Sequence, residues 1–239
     1  MNHTLKTIIV LFTGALVAPA QNDPIVLFAH VDFVKPATGK SADYHQALQT
    51  LIVPKFQKAV DAGQAYAFVN FSRRFPHGSE LAASEVRFAL GRTLKSVSTG
   101  VTIDAGMPPG LFTTAMGEMW TLSFSTDLTK FLQAKHYRVL FLKALPGKTT
   151  MDIVNIYKAP ETAATTANGV VIFNRTYRGP DDDFTTIVMH AYTDLDELPM
   201  PGVVNTGQTS LALERLRNVR STIRTELWDR RNEFVGPKP

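Results

Sequence analysis

The sequence predicts an α+β fold of two tandem strand–helix–strand–strand–helix–strand units that cover each other's bare sheet faces within one chain. Three observations carry that expectation. The two tryptophans, in Glu118-Met119-Trp120 and Glu226-Leu227-Trp228, stand at a spacing of 108. The same spacing relates Val31-Asp32-Phe33-Val34-Lys35, followed by Gly39-Lys40-Ser41, to Val139-Leu140-Phe141-Leu142-Lys143, followed by Gly147-Lys148-Thr149. A third block, Asn70-Phe71-Ser72-Arg73-Arg74, matches Asn174-Arg175-Thr176-Tyr177-Arg178 at a spacing of 104, as if four residues were lost from the second copy's helix region and regained before Glu226. Three blocks in one order indicate an internal repeat that spans nearly all of the chain beyond residue 20.

Each element follows from local pattern. Ile25 to Val34 alternates Phe28, His30 and Asp32 with Ala29, Val31 and Phe33, the period of a strand, and Pro36 to Gly39 makes a turn. Ser41 is placed to cap a helix whose apolar stripe is Tyr44, Leu48, Leu51, Ile52, Phe56 and Val60. Pro54 removes a backbone donor, so the helix is expected to kink or restart at Val53, and Gly63 closes it. Tyr66 to Phe75 and Glu85 to Leu90 read as the next two strands, with a turn at Pro76 to Ser79 between them. Ser96 to Gly110 reads as a loop, Leu111 to Met116 as a short helix and Glu118 to Ser125 as the fourth strand. The second copy carries a shorter helix region from Thr149 to Asn168, helical spacing from Ser210 to Thr222 and a last strand at Ile223 to Trp228. A βαββαβ unit of this order is ferredoxin-like, with helices on one sheet face and the other face bare. Two such repeats, at 21–134 and 135–239, can place their bare faces together as an intramolecular pseudo-dimeric α+β barrel, which leaves room for a further homodimer.

Composition narrows the class of function. With 44% hydrophobic and 19% charged residues and no cysteine, the chain falls in the ordinary globular range, which excludes disordered, collagenous and disulfide-scaffold classes. The net charge of +4 is spread along the chain, with no run longer than Arg73-Arg74 or Arg230-Arg231, and this argues against dedicated nucleic-acid binding. Residues 1–20 read as a secretory signal: Lys6, an apolar stretch from Ile8 to Val17, and Ala18-Pro19-Ala20 before cleavage at Gln21. Ten apolar residues are about half of the roughly 20 needed to cross a bilayer, and there is no cysteine for lipid attachment, so no stable membrane anchor is expected. The expected location is periplasmic or secreted.

The run Phe33-Val34-Lys35 to Gly39-Lys40, the passage Ile52-Val53-Pro54-Lys55-Phe56, the Arg74-Phe75-Pro76-His77-Gly78 turn and the closing Ile223-Arg224-Thr225-Glu226-Leu227-Trp228 resemble exported bacterial proteins of uncharacterised function. Those are similar to the dimeric α+β barrel superfamily, which includes antibiotic-biosynthesis monooxygenases, stress-responsive barrel proteins and haem-degrading monooxygenases. The resemblance implies an exported protein that binds a small, partly apolar molecule, with cofactor-independent or haem-linked monooxygenase-like chemistry. The alternative is a non-catalytic carrier or interaction module with a filled barrel. No particular cofactor follows from the residues.

Signatures of the common catalytic classes are missing: there is no H-E-x-x-H, G-x-S-x-G or G-x-G-x-x-G, and no cysteine nucleophile. Gly39-Lys40-Ser41 and Gly147-Lys148-Thr149 lack the glycine five residues upstream that a phosphate loop requires, and read as turns that open helices. The histidines show no metal-ligand spacing. Candidate catalytic residues are His30 and Asp32, two apart on one strand face, and Glu226, beside Trp228 on another. His30 and His190 would converge if both pointed into the barrel; the alternative is two separate hydrogen-bonded histidines. Asn70, Ser72 and Arg74 share a face, matched by Asn174, Thr176 and Arg178, and could orient a ligand if they point inward or form a solvated edge if they point outward. Trp120 and Trp228 either line a pocket with Glu118 and Glu226 or are core residues whose glutamates are bonded to arginine or backbone. Expression of the full chain in a bacterial host, followed by N-terminal sequencing, is expected to return a mature protein starting at Gln21 outside the cytoplasm; an intact Met1 in the cytosolic fraction contradicts the export reading.

Overall fold

A computed structural model describes residues 27–75, 83–98, 106–159, 168–177, 184–198 and 214–236, so the expected leader, Arg178 and the turn expected at Pro76 to Ser79 lie outside the described residues. Eight strands close into one barrel: β1 (Phe28–Pro36), β2 (Ala67–Phe75), β3 (Glu85–Gly91), β4 (Phe112–Ser125), β5 (His136–Ala144), β6 (Gly169–Tyr177), β7 (Thr186–Tyr192) and β8 (Arg220–Val235). Around the barrel the order is β1-β3-β2-β8-β5-β7-β6-β4, every pairing antiparallel. Hence β4-β1-β3-β2 of the first half and β8-β5-β7-β6 of the second share one order, and the seams β2–β8 and β4–β6 join them.

Pairing register carries the correspondence to single residues. Trp120 stands opposite Ala29 and Trp228 opposite Tyr137, so both members of the second pair follow those of the first at the spacing that separates the tryptophans. On the second strands the register corrects the sequence alignment: Trp120 faces Arg175 and Trp228 faces Arg73, so Arg73 corresponds to Arg175 at a spacing of 102. Asn70 therefore corresponds to Ile172 and not to Asn174.

Strand alternation then decides what the barrel contains. Ala29, Val31 and Phe33 point inward with Phe71, Phe88, Trp120, Tyr137, Phe141, Phe173 and Trp228, all nearly or wholly buried. Their rings meet edge-on or tilted, with Phe71 and Tyr137 centroids 5.0 Å apart and Phe88 and Trp120 5.2 Å apart, geometries that aromatic quadrupoles favour. Among the described residues the interior is a packed core, the filled-barrel alternative raised above. Glu118 and Glu226 share the inward face and are satisfied there. Trp120 Nε1 donates to Glu118 Oε2 at 2.5 Å, and Trp228 Nε1 to Glu226 Oε2 at 2.7 Å. Arg175 bonds Glu118 across the β4–β6 seam, while Arg73 Nη2 reaches Glu226 Oε1 at 2.7 Å across β2–β8. Arg224 adds a second contact to Glu226 at 3.0 Å and, like Arg175, lies over the Phe184 ring, so both trios form one continuous layer.

The outer sheet faces are covered by helices. α1 (Ser41–Ala47), a π-helical turn (Leu48–Ile52) and α2 (Val53–Asp61) lay Tyr44, Leu48, Ile52 and Phe56 on Val34, Phe68 and Ala89. The restart at Val53 is where Pro54 requires it, Pro54 falling in the first turn of α2 where its missing N–H costs nothing. Ser41 does not cap: Lys40 occupies that position without a side-chain bond. α3 (Leu94–Ser98) and α4 (Leu128–Gln133) are short connections; α3 begins just before the stretch read as loop, and Leu111 to Met116, read as a helix, is largely the first part of β4. In the second half α5 (Thr150–Lys158) packs Ile153, Val154 and Tyr157 on Leu140, Leu142, Val170, Ile172 and Val188. Helical structure at 214–217 precedes β8, which starts three residues before the expected Ile223. Gly39 and Gly147 hold φ of 73° and 74° in corresponding turns, the left-handed conformation that explains both Gly-Lys pairs as turns without a phosphate loop.

Replacing Glu226 by Ala leaves Arg73, Arg224 and the Trp228 indole facing a buried gap. Urea denaturation of Glu226→Ala is expected to show a loss of about 3–5 kcal/mol; a loss below about 1 kcal/mol contradicts a structural role for the trio.

Candidate functional site

The helix-covered face of the first half carries a buried charge network. Cross-strand pairing sets Asp32 of β1 opposite Arg87 of β3, and His30 lies two residues before Asp32 on the same face. His30 Nε2 stands 2.9 Å from Asp32 Oδ1, and Arg87 Nη2 donates to Asp32 Oδ2 at 3.1 Å. The Arg87 guanidinium is almost wholly buried and lies 5.0 Å from the Phe112 ring centroid. Burial alone pushes the Asp32 carboxyl up, but the His30 hydrogen bond and the Arg87 charge outweigh it and hold Asp32 below the usual carboxylate range. An ionised Asp32 can only accept, so His30 Nε2 is the donor to it, and in the uncharged tautomer that this bond selects Nδ1 carries the lone pair. That nitrogen is buried and has no hydrogen-bond partner among the described residues. Opposite Asp32 on β4 stands Gly117, exposed, where a Cβ would press on Asp32 Oδ1 at 3.3 Å. The missing side chain leaves the pair open beside Asp32 Oδ1 and His30 Nε2.

A second group joins the same face. His45 of α1 places Nδ1 3.2 Å from Glu233 Oε1 and Nε2 3.6 Å from Glu85 Oε1. Asn70 Nδ2 donates to Glu85 Oε2 at 3.3 Å and to Glu233 Oε2 at 3.5 Å, tying both carboxylates to β2. Glu233 reaches this position because the β2–β8 register shifts between Val69 and Phe71, the bulge re-aiming its side chain. Burial alone would lower the His45 pKa, yet its bonds to Glu233 and Glu85 reverse the sign and raise it to about 9. Glu233 is in turn held below its usual range: burial opposes this, but the bond to His45 prevails. No group of three or more His, Cys, Asp or Glu suited to a metal ion occurs among the described residues.

The second half provides an internal control. Register places Leu140, Ile172, Thr186 and Val188 where the first half has Asp32, Asn70, Glu85 and Arg87. Arg138 stands at the His30 position, and Ile153, the counterpart of His45 at the tryptophan spacing, is buried in the apolar layer under α5. The same architecture thus stands with uncharged residues at the Asp32, His45, Asn70, Glu85 and Arg87 positions, so those charges on the first half are no requirement of the fold.

Of the residues singled out in the sequence, His30, Asp32 and Asn70 come together here. Glu226, Trp120 and Trp228 do not: they lie on the inward side of the sheet, in core contacts. His190 does not meet His30 inside the barrel, because it faces outward under α5, 3.5 Å from the Tyr157 hydroxyl. Burial, helped by Arg138 and Arg220, pushes its pKa down to about 3. Asn174, on an outward face beside Thr186, and Arg74, at the β2–β8 seam, belong to neither group. Sequence reading missed His45, Glu85, Arg87 and Glu233, although Glu85 and Arg87 interrupt an otherwise apolar strand and were the available signal.

No protein-family model matches the chain, and no curated protein does. Solved structures match over most of its length. An anthrone oxidase-like protein aligns with TM-score 0.54 and 11% identity over 88% of this chain and 93% of that one. A chlorite dismutase from Candidatus Nitrospira defluvii, in complex with imidazole, aligns with TM-score 0.53 and 12% identity over 87% and 92%. The chain therefore shares a mixed α+β fold with these structures.

His45 links the site to stability with a definite sign. Its folded pKa lies above the unfolded value near 6.5, so its contribution is complete below that pH and is lost as pH rises through about 9. The difference in thermal midpoint between wild type and His45→Gln is expected to be largest at pH 6 and to shrink by pH 9.5; a difference that grows with pH contradicts the assignment.

Proposed function

We propose that the chain is a small-molecule enzyme of monooxygenase-like type, working at the His30–Asp32 pair without a resident cofactor. The observation that carries this is the buried network on the first half, whose Asp32, His45, Glu85 and Arg87 positions hold the uncharged Leu140, Ile153, Thr186 and Val188 in the second. Burying charged groups costs several kcal/mol each before their pairing is counted, and the fold stands without them. In this reading His30 is a general base: Asp32, held ionised by Arg87, fixes and steadies the ring, and the unpartnered Nδ1 takes a proton once movement of the residues that bury it admits a substrate. A substrate with an acidic, doubly benzylic CH2 conjugated through its rings with a ketone, as anthrone has, would lose a proton to Nδ1; an anthrone oxidase-like protein is among the structures this fold resembles. The resulting electron-rich carbanion can be oxidised by dissolved O2, the CH2 carbon gaining one oxygen as a carbonyl and the other leaving as water. The substrate proposed is thus a small, partly apolar aromatic ketone.

Haem, one of the two chemistries the superfamily resemblance implies, does not fit beneath the helices. The spaces under α1–α2 and α5 are filled by side chains, with Phe56 and Phe68 centroids 4.6 Å apart. His45 commits both ring nitrogens to carboxylates, and His190 faces Tyr157 among arginines. The filled barrel favours a second reading, a non-catalytic carrier or interaction module. We also propose that the two halves, 21–134 and 135–239, are ferredoxin-like repeats of common origin, supported by their shared strand order and register, and that the protein is exported after cleavage before Gln21.

Oxygen uptake with anthrone as the probe substrate separates the two functional readings. Turnover by the wild type is expected, falling about 10²–10⁴-fold in His30→Gln, the range for loss of a general base. Binding of anthrone without oxygen uptake supports the carrier, and equal rates in wild type and His30→Gln contradict the role of His30.

A further inference from the structure

A second site lies on the outer face of the β2–β8–β5 seam, away from the His30–Asp32 pair. There a cleft of about 350 Å³ is lined by Arg74, Lys135, His136, Asp229, Arg230 and Arg231, with Asn232 and Phe234 completing the wall. Four of these side chains are permanent cations, and Asp229 is the one acid. That carboxylate is fully used, accepting from Arg74 Nε at 2.6 Å and lying 2.7 Å from His136 Nδ1. Arg230 is pinned to the Ala134 carbonyl at 2.8 Å and lies over the Phe234 ring. Lys135 and Arg231 are exposed at the rim. The cleft thus combines fixed positive charge with one aromatic wall.

The opposite seam shows that the fold does not demand this charge. Arg230 N bonds the Lys135 carbonyl at 2.8 Å, and Leu122 N bonds the Leu27 carbonyl at 2.8 Å, which sets the two seams in register. Where the first has Lys135, His136, Asp229 and Arg230, the second has Leu27, Phe28, Thr121 and Leu122. The Arg74–Asp229 ion pair is matched by a hydroxyl contact, Thr121 Oγ1 to Thr176 Oγ1 at 2.5 Å. Not one of these counterparts is charged.

We infer that the cleft binds an oxyanion, a carboxylate or phosphate group carried on a small organic molecule. Guanidinium forks suit both groups geometrically, and the concave setting with residual positive charge strengthens the attraction over that of a flat surface. The Arg74–Asp229–His136 arrangement acts as a fixed floor: Asp229 orients Arg74 and His136 while leaving the net charge positive. The site is independent of the proposed chemistry at His30.

The test uses the full mature chain with benzoate and inorganic phosphate as separate probes, at constant ionic strength set with chloride. Titration followed by amide chemical shifts is expected to show saturable changes at Lys135, Asp229, Arg231 and Asn232 for at least one probe, and the probe that saturates identifies the head group. The double variant Lys135→Glu/Arg231→Glu is expected to weaken binding at least tenfold. Lys158→Glu/Lys148→Glu, which makes the same net charge change on and beside exposed α5, is expected to leave it within twofold. Linear, non-saturating shifts for both probes, or equal weakening by both double variants, overturns the inference.

Discussion

Closing eight antiparallel strands around one aromatic core is the constraint on which the rest depends. Side chains alternate across a strand with period two, so once Phe33, Phe71, Trp120 and Trp228 fill the interior, their sequence neighbours have no choice but to face outward. His30, Asp32 and Asn70 thereby land beneath the first half's helices, and Glu118 and Glu226 land inside. A buried carboxylate in that interior must be paired, and each recruits the neighbouring indole and an arginine from the other half. The same bonds that satisfy these charges therefore stitch the two seams of the barrel.

The two halves share topology and register but use their outer faces differently. Beneath α5 the second half keeps an apolar layer of Leu140, Ile153, Ile172 and Val188, whose burial is favourable without any pairing. Beneath α1 the first half maintains two ionic groups, each dependent on its partners: Asp32 stays ionised through His30 and Arg87, and His45 is charged because of Glu85 and Glu233. Such a network is specific in geometry and costly to disturb, properties that suit a reacting site better than a support. The seams repeat the lesson, one charged around Asp229 and the other lined by threonine and leucine.

Much of the fold was legible in the sequence because it rests on local period and on spacing. The evenly spaced tryptophan blocks, the strand alternation around His30, the Pro54 restart and the glycine turns each leave a direct mark in the order of residues. What alternation cannot say is which face goes in, since a strand with aromatic residues on one side and His, Asp and Asn on the other fits either orientation until its partner sheet is known. The match of Asn70 to Asn174 misled for a related reason: identical residues two positions out of register look alike in sequence but fall on different partners, and only the pairing of Arg73 with Trp228 and Arg175 with Trp120 settles it. His45, Glu85, Arg87 and Glu233 come from one helix and two strands at opposite ends of the chain, joined through a bulge that no local pattern announces. Short helices α3 and α4 escaped because too few residues carry their period.

The role given to His30 stands on the position of one proton, and long-range proton–nitrogen NMR of the imidazole rings reads it directly. In the neutral ring the proton is expected on Nε2, shared with Asp32, with Nδ1 unprotonated, and Asp32→Asn is expected to shift this tautomer population. A neutral His30 protonated at Nδ1 would leave no base in the site and contradict the mechanism at its root.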